Sequence, residues 1–299
     1  MKNLLKLAGL LVLASLVLAA CSGGGSSGAS DVLGAINERG YILVSTDPNY
    51  EPQSFLNTES SRPTDTKCPQ DALTTAEMQG FDVDVAIAIG DSLGVETCFA
   101  TPSWDLITAG SWADKWDVSV GSMTVTADRQ KVVDFSVPYY GTPAVVAVLA
   151  DSTFKSLDDL AGQALCVGTA TTYETWLSGG DLGVGLTVFA QPPADVTTVS
   201  LETDQLCAQG IKDRTDYAGY VTSKTVVEAN IAAGFPVVQL GDPVFSEDLA
   251  AAFDKGSSLD AASLRAKVDE LFTAMHADGR MSELSLKWFN VDYTTMYKK

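Results

Sequence analysis

Histidine is almost missing from this chain: His276 is the only one among 299 residues. No cysteine pair stands in CxxC spacing, so no metal centre of His/Cys type is expected. No glycine-rich phosphate loop and no nucleophile–base pair can be picked out. Cation is scarce too, with 19 Lys and Arg against 38 Asp and Glu. A balance that acidic argues against nucleic acid and against a polybasic membrane patch. Beyond residue 20 no apolar run approaches the roughly 20 residues that a membrane span needs.

The chain's one strongly apolar stretch lies at its start. Lys2 and Lys6 give a positive beginning, and Leu4 to Ala20 is broken only by Lys6, Gly9 and Ser15. Small residues close it at Leu18-Ala19-Ala20, directly before Cys21. This is the pattern of an export signal over residues 1–20. The cysteine after the small residues resembles the bacterial lipobox, which implies cleavage before Cys21 and diacylglyceryl attachment to its sulfur. Ser22 to Ser30 contains only Ser, Gly and Ala, a tether that reaches roughly 15 Å root-mean-square. Residues 21–30 are therefore read as a lipidated cysteine with its spacer. Loss of Lys2 and Lys6 with the signal moves the net charge from −19 to about −21.

The remaining body of about 270 residues suits one large domain or two lobes. With Cys21 lipidated, Cys68, Cys98, Cys166 and Cys207 remain. Outside the cell they suggest two disulfides, with three connectivities open.

Patterning alternates between strand and helix. Tyr41–Ser45 reads as a strand, and Asn57–Met78 as a polar insertion. A helix runs from Gly80 to Leu93, with Phe81, Val85 and Ile89 at four-residue steps and Gly94 as its stop. A strand around Cys98, a helix from Trp104 and a strand over Asp117–Thr124 follow, then a short helix from Asp128. Ala144–Leu149 and Ala164–Gly168 read as strands, Thr172–Leu177 as the beginning of a helix that ends at Gly179-Gly180, and Gly185–Ala190 as a strand. Leu201–Gln209 reads as a helix, Tyr217–Thr222 and Pro236–Leu240 as strands, and Asp260–His276 and Met281–Phe289 as helices. Such alternation predicts α/β architecture with mostly parallel sheets.

In open α/β sheets ligands bind beyond the carboxyl ends of strands. Two strand–helix turns stand out there. Around Ser122-Met123-Thr124-Val125-Thr126-Ala127-Asp128-Arg129, Thr126 is a candidate N-cap, which puts Arg129 in a first helical turn. A cation is unfavourable there unless an anion joins it, and a guanidinium fork suits a carboxylate. The bland alternative is a solvated arginine paired with Asp128 or Asp134. Gly168-Thr169-Ala170-Thr171-Thr172-Tyr173-Glu174 has small residues and hydroxyls at a second helix start, and Thr171 with Glu174 fits a capping box. Tyr50, Phe55 and Trp104 supply aromatic surface in the loops.

Several segments, in order, carry a family resemblance. Thr46 to Pro52 (TDPNYEP), Gly80 to Val85 (GFDVDV), Trp104 to Ile107 (WDLI), Met123 to Lys131 (MTVTADRQK), Asp134 to Tyr140 (DFSVPYY), Asp278 to Arg280 and Lys287 to Phe289 are the segments concerned. They resemble the extracellular solute-binding proteins of family 3, the polar amino-acid receptors of ABC importers. The resemblance extends over essentially all of the chain after the tether. It implies the type II periplasmic-binding-protein fold, two lobes of mostly parallel sheet flanked by helices and joined by a two-strand hinge. Lobe 1 would be 31–143 plus 243–299, and lobe 2 would be 144–242. Cys68–Cys98 and Cys166–Cys207 are then the favoured pairs, each within one lobe.

By matched position, Arg129 would grip a ligand carboxylate, helped by Thr124 and Thr172. The Ser122 backbone would accept from an ammonium, and Tyr50 and Trp104 would stack on the ligand. The implied function is an extracytoplasmic, lipid-anchored substrate-binding protein on a bacterial membrane. It would capture a small amino acid or related carboxylate by hinge closure and deliver it to a permease and ATPase. It would be a monomer with no cofactor.

One departure affects the ligand. The family's second-lobe aspartate has Val221 or Ser223 in its place, which leaves Asp47, Asp216 or Glu174 as substitutes, or a ligand without an α-ammonium. Two other functions compete: a hydro-lyase on this scaffold, which would need a general acid in the cleft, and a sensory or scaffolding lipoprotein.

Overall fold

A computed structural model describes residues 29–183 and 186–295. The expected export signal 1–20, Cys21, the expected tether as far as residue 28 and the beginning of the expected Gly185–Ala190 strand lie outside the described residues.

Each end of the molecule is built on a parallel trio of strands. At one end Tyr41–Ser45 lies between Glu96–Ala100 and Val118–Thr124, parallel to both. At the other, Ala164–Gly168 lies between Thr197–Leu201 and Gly219–Ser223, again parallel to both. Two long strands, Tyr140–Leu149 and Val237–Asp254, run antiparallel to each other between the trios and join them into one 11-stranded sheet. Leu249 pairs with Tyr140 on one side and Thr124 on the other, while Thr222 pairs with Val145. The register shifts between Leu240 and Phe245, where the return strand passes from one end to the other.

Separate cores sit at the two ends. Ile42, Val44, Phe81, Ile89, Tyr139, Tyr140 and Phe272 belong to one, and Val146, Leu165, Val167, Trp176 and Phe245 to another. The long strand thus contributes Tyr140 to the first and Ala144 to the second. Its apolar run AVVAVL is buried up to Val148 because strands lie on both sides of it and packing covers both faces.

Local sequence accounts for much of the first core. Phe81, Val85 and Ile89 are buried along the helix Phe81–Leu93, and Gly94 closes it in the left-handed region (φ 68°). Gly80 has φ 134°, and a Cβ there would lie 2.2 Å from the Gln53 carbonyl oxygen. That close approach lets Phe81 and Asp82 N–H groups donate to Pro52 and Gln53 carbonyls, which seats the loop behind Tyr50 on the helix start.

Cys68 is joined to Cys98, and Cys166 to Cys207. They close separations of 30 and 41 residues, worth roughly 3.5–4 kcal/mol each on the loop-entropy model. The first ties the 57–78 insertion to the sheet. The second ties the helix Asp204–Gly210 to the strand Ala164–Gly168.

Some local expectations are corrected. The helix expected over Leu201–Gln209 starts later: Thr197–Leu201 is a strand, and Thr203 caps the helix Asp204–Gly210 by accepting from Leu206 N–H. The short helix after Asp128 is one 3-10 turn, Arg129–Lys131, in which Thr126 Oγ1 accepts from Arg129 N–H. Three residues carry no helix dipole of consequence, so the electrostatic conflict proposed for Arg129 does not arise. The strand expected over Pro236–Leu240 continues to Asp254, and the helices Val32–Arg39 and Lys224–Ala232 have no counterpart in the patterning above.

Candidate ligand-binding cleft

The parallel strands of both ends point their carboxyl termini at one cleft. Asp47, Tyr50, Trp104, Gly121, Ser122, Thr124 and Arg129 line it from one side, and Gly168, Thr171, Thr172, Tyr173, Glu202, Thr203 and Asp204 from the other. The space between these residues comes to about 450 Å³ with the open solvent at its mouth included. The sides meet across it, with Tyr50 Oη 3.1 Å from Tyr173 Oη and Thr124 Oγ1 3.4 Å from Thr172 Oγ1.

Arg129 is the buried cation of the cleft. Its Nη1 donates to the Thr124 carbonyl and its Nη2 to the Ala170 carbonyl, both at 3.1 Å, so it clasps backbone from both sides. Its guanidinium carbon lies 5.5 Å from the Trp104 ring centroid. Burial lowers its pKa to about 10, against the pull of Glu247, so it remains a cation at neutral pH. Neither Asp128 nor Asp134 pairs with it: Asp128 holds Lys131, and Asp134 lies near Lys255 and Arg265. Arg129 forms no ion pair among the described residues, and two carbonyls use only part of its five-donor fork.

Thr124 and Thr172 line the cleft, and their hydroxyl protons go to a buried protein acid. Both donate to Glu247, at 2.6 and 3.0 Å, and Tyr173 Oη donates to the same carboxylate at 2.6 Å. Burial raises the Glu247 pKa, while Thr124, Tyr173, Thr172 and the Arg129 charge oppose the rise. Glu247 escaped the sequence reading. The signal for it was only its place, beside Asp248, just before the apolar run Leu249 to Phe253.

Ser122 has φ 53° in the middle of a strand, a left-handed conformation that costs about 1–3 kcal/mol and needs support. Its N–H donates to Tyr139 Oη at 2.9 Å, and its Oγ donates to Asp82 at 2.7 Å. Tyr139 also donates to Asp82, at 2.8 Å. Burial pushes Asp82 up to about 7, against those hydrogen bonds. This buried network uses the Ser122 side chain and N–H.

On one wall, Thr46 Oγ1 and Trp104 Nε1 are buried without a protein partner. Both residues pack where a Cβ on Gly121 would stand, 3.5 and 3.6 Å away. Phe55, by contrast, packs edge-on against Trp288 and does not line the cleft.

Ser223 is not brought to the cleft. It is fully buried and bonded to Thr142 and Thr225 hydroxyls at 3.0 and 2.7 Å, while Val221 belongs to the second core. Asp216 is paired with Arg214 at the surface. Glu174 accepts from Ala170 N–H and the Ser200 hydroxyl, a modified capping box, so it too is engaged. Asp47 does line the cleft, with Asn49 N–H donating to it at 2.8 Å. Desolvation and the nearby Glu202 raise its pKa despite that bond. The acid the sequence reading missed is Asp204, the first residue of its helix. It is 4% exposed, and burial raises it to about 7. His276 lies away from the cleft, with Nε2 3.1 Å from the Pro138 carbonyl.

No group of three or more metal-ligating side chains occurs among the described residues, and no helix among them is long and apolar enough to cross a membrane.

Two end sheets joined by two long strands around an interlobe cleft define the periplasmic-binding-protein fold. Residues 42–291 match the model of the bacterial extracellular solute-binding proteins, family 3, and the chain belongs to that family. Among its relatives is the L-cystine-binding protein TcyJ of Escherichia coli K12, 27% identical over 271 residues that cover 88% of each chain. The ABC transporter arginine-binding protein 1 of the same strain is 27% identical over 220 residues, covering 71% of this chain and 82% of its own. A crystal structure of the ancestral amino acid-binding protein AncCDT-1, a precursor of cyclohexadienyl dehydratase, superposes with a TM-score of 0.68 at 26% identity. It covers 86% of this chain and 99% of its own. These relatives are named as binding proteins, not as enzymes.

Proposed function

We propose that this chain is the substrate-binding lipoprotein of an ABC importer, capturing an α-amino acid in the interlobe cleft. The observation that carries this is Arg129: a buried cation that clasps both sides of the cleft and keeps donors for a ligand carboxylate. Tyr50 and Trp104 supply aromatic walls, and the relatives named for cystine and arginine support an amino acid as cargo. Lobe 1 comprises 31–143 and 243–299, lobe 2 comprises 144–242, and the paired strands Tyr140–Leu149 and Val237–Asp254 form the hinge between them. Closure on the ligand marks the form that docks on the permease. Residues 1–20 direct export, and a diacylglyceryl group on Cys21 holds the protein at the outer face of a bacterial membrane.

A thermal-shift screen of the full chain against the twenty standard L-amino acids and L-cystine tests the reading, because a ligand of the native state raises Tm by mass action. A rise that disappears in Arg129→Ala is expected. No rise with any of them overturns the proposal. Recovery of the ligand as a different compound would move the protein to the hydro-lyase reading.

A further inference from the structure

The cleft holds a second ionisable group, one that no cation neutralises among the described residues. Asp204 lines the space opposite the lobe-1 wall and is 4% exposed. One carboxylate oxygen accepts from Gly168 N–H at 2.7 Å, and the other from Thr222 Oγ1 at 2.7 Å. A carboxylate offers about four acceptor sites, so two neutral donors leave half of it unmet. No Lys or Arg forms an ion pair with it among the described residues. Its charged neighbours are acids: Asp47 across the cleft and Glu247 on the return strand. Arg129 answers instead to Glu247 and Tyr173.

A buried carboxylate without a cation is costly, and the usual remedies are a partner charge or a proton. The fold nevertheless holds Asp204 firmly in place. The Cys166–Cys207 bridge anchors its helix, Thr203 caps that helix, and Gly168 leaves room for the carboxylate. A carboxylate aimed this way into a ligand space awaits a cation from the ligand.

We infer that Asp204 receives the ammonium group of the ligand while Arg129 receives its carboxylate, which makes Asp204 the residue that selects α-amino acids over simple carboxylates. This rests on the amino-acid reading above. Asp47 faces the same space from the other lobe, but it is more open and already serves Asn49, so it supports the ammonium from a distance. Thr222 is a positioning residue, aiming the carboxylate without touching the ligand.

The test uses the full chain and pairs of probes. Each of the twenty standard L-amino acids and L-cystine is compared with the same molecule carrying hydrogen in place of the α-amino group. For whichever amino acid binds, the wild type is expected to favour the amine-bearing partner by about 100-fold or more, as for loss of a charge-assisted contact that leaves a buried charge unpaired. Asp204→Asn should reduce that preference to less than about fivefold, chiefly by weakening the amino acid, with the amine-free partner unchanged or improved. A variant that keeps the full preference overturns the inference and leaves the amino-acid reading intact. Absence of binding to every amino acid in the wild type overturns that reading itself. If Asp204→Asn does not fold, Thr222→Val keeps the charge and removes one bond aiming it. It should lower the preference by about tenfold, and an unchanged preference there overturns the inference equally.

Discussion

A methyl group on Gly168 would stand 2.4 Å from the Oδ1 of Asp204. The two residues are 36 apart in sequence, yet the N–H of one is the seat of the other's carboxylate. The glycine ends the strand Ala164–Gly168 where its neighbour's helix begins, so its lack of a side chain is a requirement of the cleft.

Gly168→Ala therefore acts on ligand binding through Asp204. The carboxylate must move and lose its 2.7 Å bond, a charge-assisted hydrogen bond worth about 1.5–3 kcal/mol. Amino-acid affinity should fall at least tenfold while the far-UV spectrum stays native. Titration calorimetry checks this, and undiminished affinity would show that Asp204 can shift without consequence.

Arg129 makes a sharper case. Arg129→Ala should cost an amino-acid ligand about 2–4 kcal/mol, since it removes a charge-assisted pair and leaves the ligand carboxylate underbonded. Arg129→Lys should recover little of that. A single ammonium cannot hold the Thr124 and Ala170 carbonyls 3.1 Å from two separate nitrogens and still offer a fork to a carboxylate. Affinity restored by lysine would argue for a plain charge effect.

Which residues could be read in advance follows from how local their roles are. Arg129, Tyr50, Trp104 and Asp47 line the cleft because each follows closely on a strand end, and strand ends are visible in short apolar runs such as YILVS and DVSVGSMT. Asp204 was hidden because the strand before it, TTVSL, has no buried residue and does not read as sheet. Glu247 was hidden for a different reason. Its partner Thr124 is 123 residues away, and they meet only because the return strand crosses the whole molecule. Ser223 gave no local sign of its surroundings, because its hydroxyl partner Thr142 lies on the neighbouring strand, 81 residues away.

Asp204 also makes binding depend on pH. Desolvation first, then Asp47 and Glu247, raise it to about 7, against the bonds from Thr222 and Gly168. Tyr50, Tyr173 and Tyr220 also face it, and each of these phenols is raised further by burial and stays neutral near pH 7. Only the ionised carboxylate attracts an ammonium, so affinity should rise as pH increases through about 7 and then level off. Binding near neutral pH should release a proton, seen as an enthalpy that varies with the buffer's ionisation heat. Asp204→Asn should abolish both effects, and a pH-independent wild type would contradict the assignment.

The ligand-free protein should show the opposite slope. Asp82 and Asp204 both have folded-state values of about 7 against an ordinary 3.8. Between those limits the native state binds more protons than the unfolded chain, so stability falls as pH rises. Below the lower limit both states are protonated, and above about 7 both are ionised, so the slope vanishes at either end. Melting temperature should therefore decline from about pH 5 to about pH 7, and Asp82→Asn should flatten part of that decline. A bound amino acid should counteract the decline through Asp204 but not through Asp82, whose carboxylate is already committed to Ser122 and Tyr139 behind the cleft. Melting curves of wild type, Asp82→Asn and Asp204→Asn, each with and without ligand, separate the two carboxylates. The residual slope in Asp82→Asn should shrink on ligand addition, whereas that in Asp204→Asn should persist.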